Sequence, residues 1–228
     1  MTWLTIALVA FVGTHFLMSH PLRAPMVARL GAGGFVVVYS LVSIVTFGWA
    51  AYQFREAPLG APLWMGGEEL YALATAIMFV ASVLLAGSFV GNPALPAPGA
   101  EKLAVLPARG VFAITRHPMM WSFALWSLAH VLVSPRPAVL VLSSFIALLA
   151  LGGAAGQDVK KSRLMGEAWR GWTARTAFVP LSGQVSGRIP WKWPGRTALI
   201  GGTILWMLAT WAHPPLGAPT AGIWYWLG

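Results

Sequence analysis

The sequence predicts an all-α fold, a polytopic membrane bundle of about six transmembrane helices with one basic amphipathic helix on the cytoplasmic side. Of the 228 residues, 57% are hydrophobic and only 9% are charged, whereas an ordinary soluble domain is about one quarter charged. Thirteen tryptophans agree with this class, because indole rings favour the headgroup region of a bilayer. The first apolar run lacks a basic leader and a small-residue cleavage site, so we expect it to remain as a helix.

Six apolar segments separated by turn residues provide the predicted spans. Proline and glycine cluster between the segments and are expected to end each helix. Pro21 and Pro25 in particular should keep residues 19–30 from forming a continuous helix. With no internal repeat, the chain is predicted to be a single domain, 1–228, with spans at about 3–18, 34–52, 70–90, 118–133, 138–155 and 197–212.

The basic residues separate sharply between the two faces of this predicted bundle. Alternate loops lie on the same side, and the first, third and fifth loops hold thirteen of the fifteen lysines and arginines. The other face holds only Arg55 and Arg136. By the positive-inside rule the thirteen are cytoplasmic and both termini lie outside the cytoplasm. The net charge of +9 therefore reports membrane topology, and no nucleic-acid partner is predicted.

The long polar segment near the end of the chain contains a candidate amphipathic helix at Asp158–Arg175. Apolar residues repeat at every fourth position through it, at Leu164, Ala168 and Trp172. Such a helix lies on a membrane surface with its apolar face in the interface. The basic segment 160–196 is then a candidate binding site for anionic lipid. A solvated linker helix that only fixes the topology is the alternative interpretation.

Histidines are the candidate catalytic or metal-binding residues of this sequence. The chain has five histidines and no cysteine, which excludes thiolate catalysis and iron–sulfur clusters. His15 and His130 lie inside apolar spans, where an unused ionisable side chain costs about 2 kcal/mol or more. All six acidic residues lie outside the spans, so the pair favours a histidine-ligated haem over a carboxylate proton relay or a three-ligand zinc site. Three arginines of the cytoplasmic loops are candidate partners for haem propionates: Arg23, Arg109 and Arg116.

Several short motifs give the sequence a family resemblance. They are Thr-Arg-His-Pro at Thr115–Pro118, Trp-Ser-Leu-Ala-His at Trp126–His130, His15 ahead of Leu22-Arg23, and Asp158 ahead of Gly-Glu-Ala-Trp at Gly166–Trp169. In these motifs the chain resembles the NnrU family and its plastid relatives, the 15-cis-zeta-carotene isomerases. The resemblance extends over nearly the whole chain.

The resemblance implies a bacterial inner-membrane protein that binds haem b and is linked to nitrogen-oxide metabolism, with isomerase-like redox chemistry. It implies His15 and His130 as the iron ligands, and Ser127 stands where the isomerases have a cysteine. We expect Arg116 and His117 at the cytoplasmic mouth of the site, because a proline fixes the start of the helix that follows them. The substrate, and whether the protein is an enzyme, stay open.

Three alternatives also stay open at this stage. His15 lies about 18 Å from the outer face and His130 about 6 Å, so by depth alone His117 or His20 would pair better with His15. Arg-His-Pro also occurs in isoprenylcysteine and phospholipid methyltransferases that use S-adenosylmethionine. Here no glycine follows it, and Gln157-Asp158 stands where those enzymes have paired glutamates. The third alternative is a non-catalytic accessory subunit of a nitrogen-oxide reductase system.

Overall fold

The structure, a computed structural model, describes residues 1–95 and 99–227, and the regular secondary structure within these residues is helical. Long apolar runs form helices because a helix satisfies its own backbone hydrogen bonds in an apolar solvent. The described helices are α1, Thr2–Ser19; α2, Arg23–Glu56; α3, Glu68–Gly87; α4, Ala100–Val105; α5, Pro118–Val133; α6, Pro137–Met165; α7, Glu167–Arg175; α8, Ser182–Val185; α9, Arg196–Trp211; and α10, Trp224–Leu227. Two short 3-10 turns lie between them, at Gly110–Ala113 and Pro214–Leu216.

Four of the helices, α1, α2, α3 and α6, are long and apolar enough to cross a membrane. Helices α5 and α9 coincide with two further predicted spans but have only 16 residues each. At about 1.5 Å per residue they are about 24 Å long, shorter than a hydrocarbon layer of about 30 Å. Helix α3 ends at Gly87, short of the predicted limit at residue 90, because the chain turns there and Asn92 Nδ2 donates to the Ser88 carbonyl at 3.0 Å.

Helical structure begins earlier than the predicted second span, 34–52, because residues 23–30 already form a helical segment ahead of it. Pro25 does not prevent this, since it lies in the first turn, where its missing N–H needs no partner. The interruption falls at Gly31, whose φ of 71° and ψ of 170° are not helical, so α2 consists of two helical segments, 23–30 and 32–56, that meet at a kink. Glycine adopts this conformation readily because it has no Cβ.

The fifth span and the expected amphipathic helix are divided differently from the prediction. Helix α6 does not end near residue 155 but continues to Met165, because residues 156–165 include no proline and the polar ones among them are mostly good helix formers. The break comes at Gly166, with a φ of 50°, and only then does α7 begin. Asp158–Arg175 is therefore two helices, and its first half belongs to α6.

The apolar face of α7 packs on protein. Trp169 and Trp172 are almost fully buried in a core cluster with residues such as Leu84 and Phe112. Lys161, which the prediction placed on a solvated basic face, is also buried, and its Nζ donates to the Pro93 carbonyl at 3.0 Å. Hydrophobic periodicity does not distinguish a face that packs on a membrane from one that packs on a protein core, which explains the difference.

The two ends of the bundle are assembled from different loops. At one end, which we call the basic end, His20 meets α6, and residues 113–116 meet residues 177–184. Arg116 N donates to the Ala177 carbonyl at 2.8 Å, and a Cβ at Gly156 would lie 2.2 Å from His20 Nε2. At the opposite, far end, Trp64 Nε1 donates to the Leu132 carbonyl at 3.1 Å. Between the ends, α3 packs on α5 and α9, and α6 packs on α1 and α5.

The close contact between α3 and α9 predicts that adding a single methyl group to this interface lowers the stability of the protein. Gly202→Ala would place a Cβ 2.5 Å from Val83 Cα, which is backbone and cannot move aside locally. We expect overpacking to destabilise the protein by about 1–3 kcal/mol, measured as a lower melting temperature in detergent. Gly153→Ala is the matched control, because it adds the same group to a helix with nothing within 4 Å. Equal melting of the two variants would contradict the packing described.

Candidate functional site

The first turn of α5 is held in place by a single carbonyl group. Thr115 Oγ1 and Trp121 Nε1 both donate to the Phe178 carbonyl, at 2.7 and 2.8 Å. Pro118 occupies the first helical position, and His117 is the N-cap residue. Pro118 has no N–H to leave unpaired and its φ suits a helix start. The side chains of the Thr-Arg-His-Pro motif are therefore fixed against the loop that follows α7.

Asp158 of α6 joins the two charged residues of this motif. Arg116 donates to its carboxylate through Nε, at 2.9 Å from Oδ2, and through Nη2, at 2.5 Å from Oδ2. His117 Nε2 lies 2.8 Å from Asp158 Oδ1. The His117 ring is fully buried and the other two side chains are 14% and 20% exposed. A buried carboxylate is costly unless it is paired and hydrogen-bonded, and here both oxygens have partners.

His117 has one ring nitrogen for which the described residues supply no partner. Its Nδ1 is buried and makes no hydrogen bond. The ring lies between Trp169 and Phe178, with centroid distances of 6.5 and 5.4 Å. Since Nε2 faces a carboxylate, we assign the ring proton to Nε2 and the lone pair to Nδ1. A lone pair held in this way is suited to accepting a proton or a ligand.

A surface groove reaches this cluster. Its cavity has a volume of about 480 Å³ and is lined by Arg116, Asp158, Val159, Ser162, Arg163, Trp169, Arg170 and Thr173. Three guanidinium groups and two hydroxyls give it donors that suit an anion. The Asp158 cluster is thus accessible from the basic end.

His130 lies at the far end of the same helix. Its Nδ1 is 2.8 Å from the Trp126 carbonyl, and the Trp126 ring lies 4.1 Å away, centroid to centroid. The His213 ring lies 6.4 Å from that of His130, with 19° between the planes. His213 follows α9, and its Nδ1 is 2.8 Å from the Ala209 carbonyl.

His15 lies in a third environment, on α1. Its Nδ1 is 3.2 Å from the Phe11 carbonyl, and its ring lies 4.7 Å from the Phe11 ring and 5.1 Å from the Tyr39 ring. It is one turn from Ser19, where α1 ends at the basic end. Among residues 1–95 and 99–227, no hydrogen bond or ring contact joins His15 to His130.

The structure brings together only some of the residues that the sequence suggested. Arg116 and His117 are brought together by their contacts with Asp158. Arg23 lies over the Phe35 ring at 5.6 Å, and Arg109 is exposed ahead of a 3-10 turn. Asp158 was not predicted as a site residue. The signal for it was its position as an isolated acidic residue in a helix that is otherwise apolar or basic.

The comparisons with known proteins identify the family. A family model described as NnrU protein matches residues 3–220, nearly the whole chain. The chain belongs to the NnrU family. Comparison with curated proteins and with solved structures gave no match. Together with its apolar helices, membership of the NnrU family agrees with a transmembrane protein. The two segments that suggested the family, Thr115–Pro118 at the start of α5 and Trp126–His130 within it, make the contacts described above.

The ion-pair cluster of this NnrU protein predicts that alanine substitution of two acidic residues, Asp158 and Glu167, has different effects on stability. Asp158→Ala leaves Arg116 and His117 without their acceptor, and we expect a loss of about 2–3 kcal/mol. Glu167→Ala removes an exposed partner of Arg170 and should change little, because surface ion pairs contribute weakly. The measurement is the melting temperature of each variant in detergent. A melting temperature for Asp158→Ala equal to that of Glu167→Ala would mean that the cluster does not stabilise the bundle.

Proposed function

We propose that this NnrU-family protein is a haem-b-binding membrane protein of nitrogen-oxide metabolism, with His130 as an iron ligand and His15 as the partner that the family resemblance implies. The observation that carries the proposal is the hydrogen bonding of the His15 and His130 rings. In both, Nδ1 faces the carbonyl four residues earlier. A ring fixed in this way has Nε2 available for a metal, as is usual for metal-bound histidine.

The residues available fit haem better than a protein-only metal site. The described residues contain no group of three or more histidine, cysteine, aspartate or glutamate side chains that could hold a metal ion. A porphyrin supplies four equatorial nitrogens itself, so one or two imidazoles complete its coordination. The aromatic ring of Trp126 beside His130 would limit access of water to the iron.

Haem iron, when bound, supplies binding of small nitrogen oxides or one-electron transfer. The protein's own contribution is to hold His130 in one orientation through the Trp126 carbonyl and to keep the site in an apolar helix bundle. These features are common to an enzyme with isomerase-like redox chemistry and to an accessory subunit of a nitrogen-oxide reductase system.

An absorption spectrum of the detergent-purified protein tests the proposal. We expect a Soret band and, after reduction, the α and β bands of haem b. His130→Ala should lose haem or change its spin state, because an iron ligand is removed. His20→Ala is the control, since its ring is paired with Ser19 at the other end of the bundle. A colourless protein that takes up no added haem would refute haem binding.

A second candidate function, methyl transfer, is favoured by one observation. Arg116 and His117 of the Arg-His-Pro motif contact Asp158, the residue that stands where the related methyltransferases have an acidic pair, and a groove opens beside them. Isothermal titration with S-adenosylmethionine distinguishes the two functions. Saturable heat in a preparation that binds no haem would favour methyl transfer.

We also propose a topology, a membrane and a lipid partner. The protein would lie in the bacterial inner membrane with the basic end in the cytoplasm and both termini outside, and α5 and α9 would complete six crossings. The thirteen-to-two distribution of basic residues supports this orientation. The exposed arginines of the basic segment 160–196, such as Arg163 and Arg170 at the groove, would contact anionic lipid headgroups.

The proposed topology predicts opposite results for reporters fused at two sites. A reporter active only outside the cytoplasm should work after Pro58, in the loop of the far end. A reporter active only in the cytoplasm should work after Gly187, in the loop of the basic end. The measurement is the activity of both reporter types at each site. A cytoplasmic signal after Pro58 would reverse the orientation.

A further inference from the structure

We infer that the groove between α6 and α7 binds a phosphomonoester, the doubly charged phosphate group of a lipid headgroup or of a soluble phosphorylated molecule. This binding site rests on the contact with anionic lipid proposed for the same segment, and it specifies the chemical class of the ligand. His15 and His130, the residues proposed for haem, do not line the groove. Three features of the groove point to this ligand: its shape, its charge, and donors that have no partner among the described residues.

The groove has two helical walls that are separated by the turn at Gly166. This residue has a φ of 50° and a ψ of −120°, a conformation that strains any residue with a Cβ. Residues three or four apart share one face of a helix, and each wall consists of such residues: Val159, Ser162 and Arg163 from α6, and Trp169, Arg170 and Thr173 from α7. The cavity of about 480 Å³ lies in the range of small-ligand sites, about 300–1,000 Å³. It is therefore large enough for a phosphate group with the short chain that carries it.

The groove carries more positive than negative charge. Arg116, Arg163 and Arg170 contribute three guanidinium groups, and Asp158 supplies the only negative charge among the described lining residues. Arg116 and His117 contact both oxygens of that carboxylate, so Asp158 is compensated within the wall. A phosphomonoester carries a charge of about −1.5 to −2 at pH 7, whereas a phosphodiester carries about −1. The two remaining guanidinium groups match the monoester better.

Donors in the groove are left without partners by the part of the chain that the structure describes. Within it, the Arg163 side chain makes no hydrogen bond or ion pair. Arg116 uses Nε and Nη2 for Asp158 and stacks over the Phe178 ring at 5.2 Å, and its Nη1 has no acceptor. The indole N–H of Trp169 is buried and also lacks one. Buried donors without acceptors are unfavourable, and the oxygens of a bound phosphate would supply acceptors.

Arg170 is the one groove arginine with an exposed carboxylate partner, Glu167. The two side chains are 61% and 85% exposed, and exposed ion pairs contribute little to stability. Glu167 does not line the groove. Arg170 can therefore exchange this partner for a phosphate, and Glu167 competes with the ligand.

Binding of two lipids that differ in the phosphate group tests the inference. Native mass spectrometry of the detergent-purified protein, at about pH 8, compares dioleoyl phosphatidic acid, a monoester, with dioleoyl phosphatidylglycerol, a diester. We expect phosphatidic acid to bind about tenfold more tightly, because it can accept an additional charged hydrogen bond. Calorimetric titration with glycerol 3-phosphate distinguishes the sources of the phosphate. Saturable heat would show that the groove accepts a soluble phosphomonoester, whereas phosphatidic acid binding without such heat would show that the ligand is a lipid.

Substitutions of exposed charged residues locate the binding in the groove. Arg163→Gln should weaken phosphatidic acid binding about tenfold, because a charged hydrogen bond is lost. Arg29→Gln is the matched control, since it removes the same charge from an exposed position of α2 outside the groove. Glu167→Gln should tighten binding up to about fivefold, because Arg170 no longer has a competing partner.

A second pair of variants tests the buried donor. Trp169→Phe keeps the aromatic ring and removes the N–H, so binding should weaken while the melting temperature changes little. Trp172→Phe removes another buried N–H without an acceptor among the described residues. Trp172 does not line the groove, so this variant should bind phosphatidic acid as the wild type does.

Three results would overturn the inference. Equal affinities for the two lipids, with no heat from glycerol 3-phosphate, would refute a phosphomonoester site and leave the general contact with anionic lipid standing. Equal losses in Arg163→Gln and Arg29→Gln would mean that surface charge alone attracts the lipid. Binding of neither lipid, again without heat, would refute this site and the proposed lipid contact together, whereas haem binding is decided by its own spectrum.

Discussion

The carboxylate of Asp158 is the constraint on which the arrangement of the basic end depends. An ionised group in the partly buried second half of α6 needs partners, and Arg116 and His117 provide them. These contacts join α6 to the start of α5, and Phe178 joins that start to the loop after α7. Because each partner would itself be costly to bury alone, the three side chains specify one register between the two helices.

Helix α5 then connects two chemically different ends. Its start is fixed by the Asp158 cluster, next to a groove lined by arginines. Its other end carries His130, whose ring lies beside those of Trp126 and His213, and no salt bridge to it is found among the described residues. The 16 residues of α5 place these two ends about 24 Å apart. The proposed iron site and the basic groove are therefore separate sites that share one helix.

Local sequence signals predicted the features of the fold that are themselves local. The bounds of α5 were predicted correctly because Pro118 begins it and Ser134-Pro135 ends it. The helical segment 23–30 ahead of the second span was not predicted, because the effect of Pro25 depends on whether it falls in the first turn of a helix or later. The expectation that the apolar face of α7 lies in the membrane interface is wrong, because Trp169 and Trp172 are buried in the protein core. Their periodicity is the same whether they face lipid or protein.

In the candidate site, too, the sequence predicted which neighbouring residues belong together but not the contacts between distant segments. Arg116 and His117 were predicted together because they are adjacent, but their link to Asp158 depends on the packing of α6 on α5. The approach of His213 to His130 depends on where the turn after α9 lies, which no spacing in the sequence specifies. Contacts between distant segments are set by tertiary packing, and a single sequence contains no record of them.

The central proposal is that this protein binds haem with His130 as an iron ligand. X-ray absorption at the iron edge of the detergent-purified protein tests it most directly. The account predicts stoichiometric iron with four porphyrin nitrogens and two axial imidazole nitrogens at about 2.0 Å. A protein without iron, or iron with a sulfur or water oxygen in place of one imidazole, would contradict it.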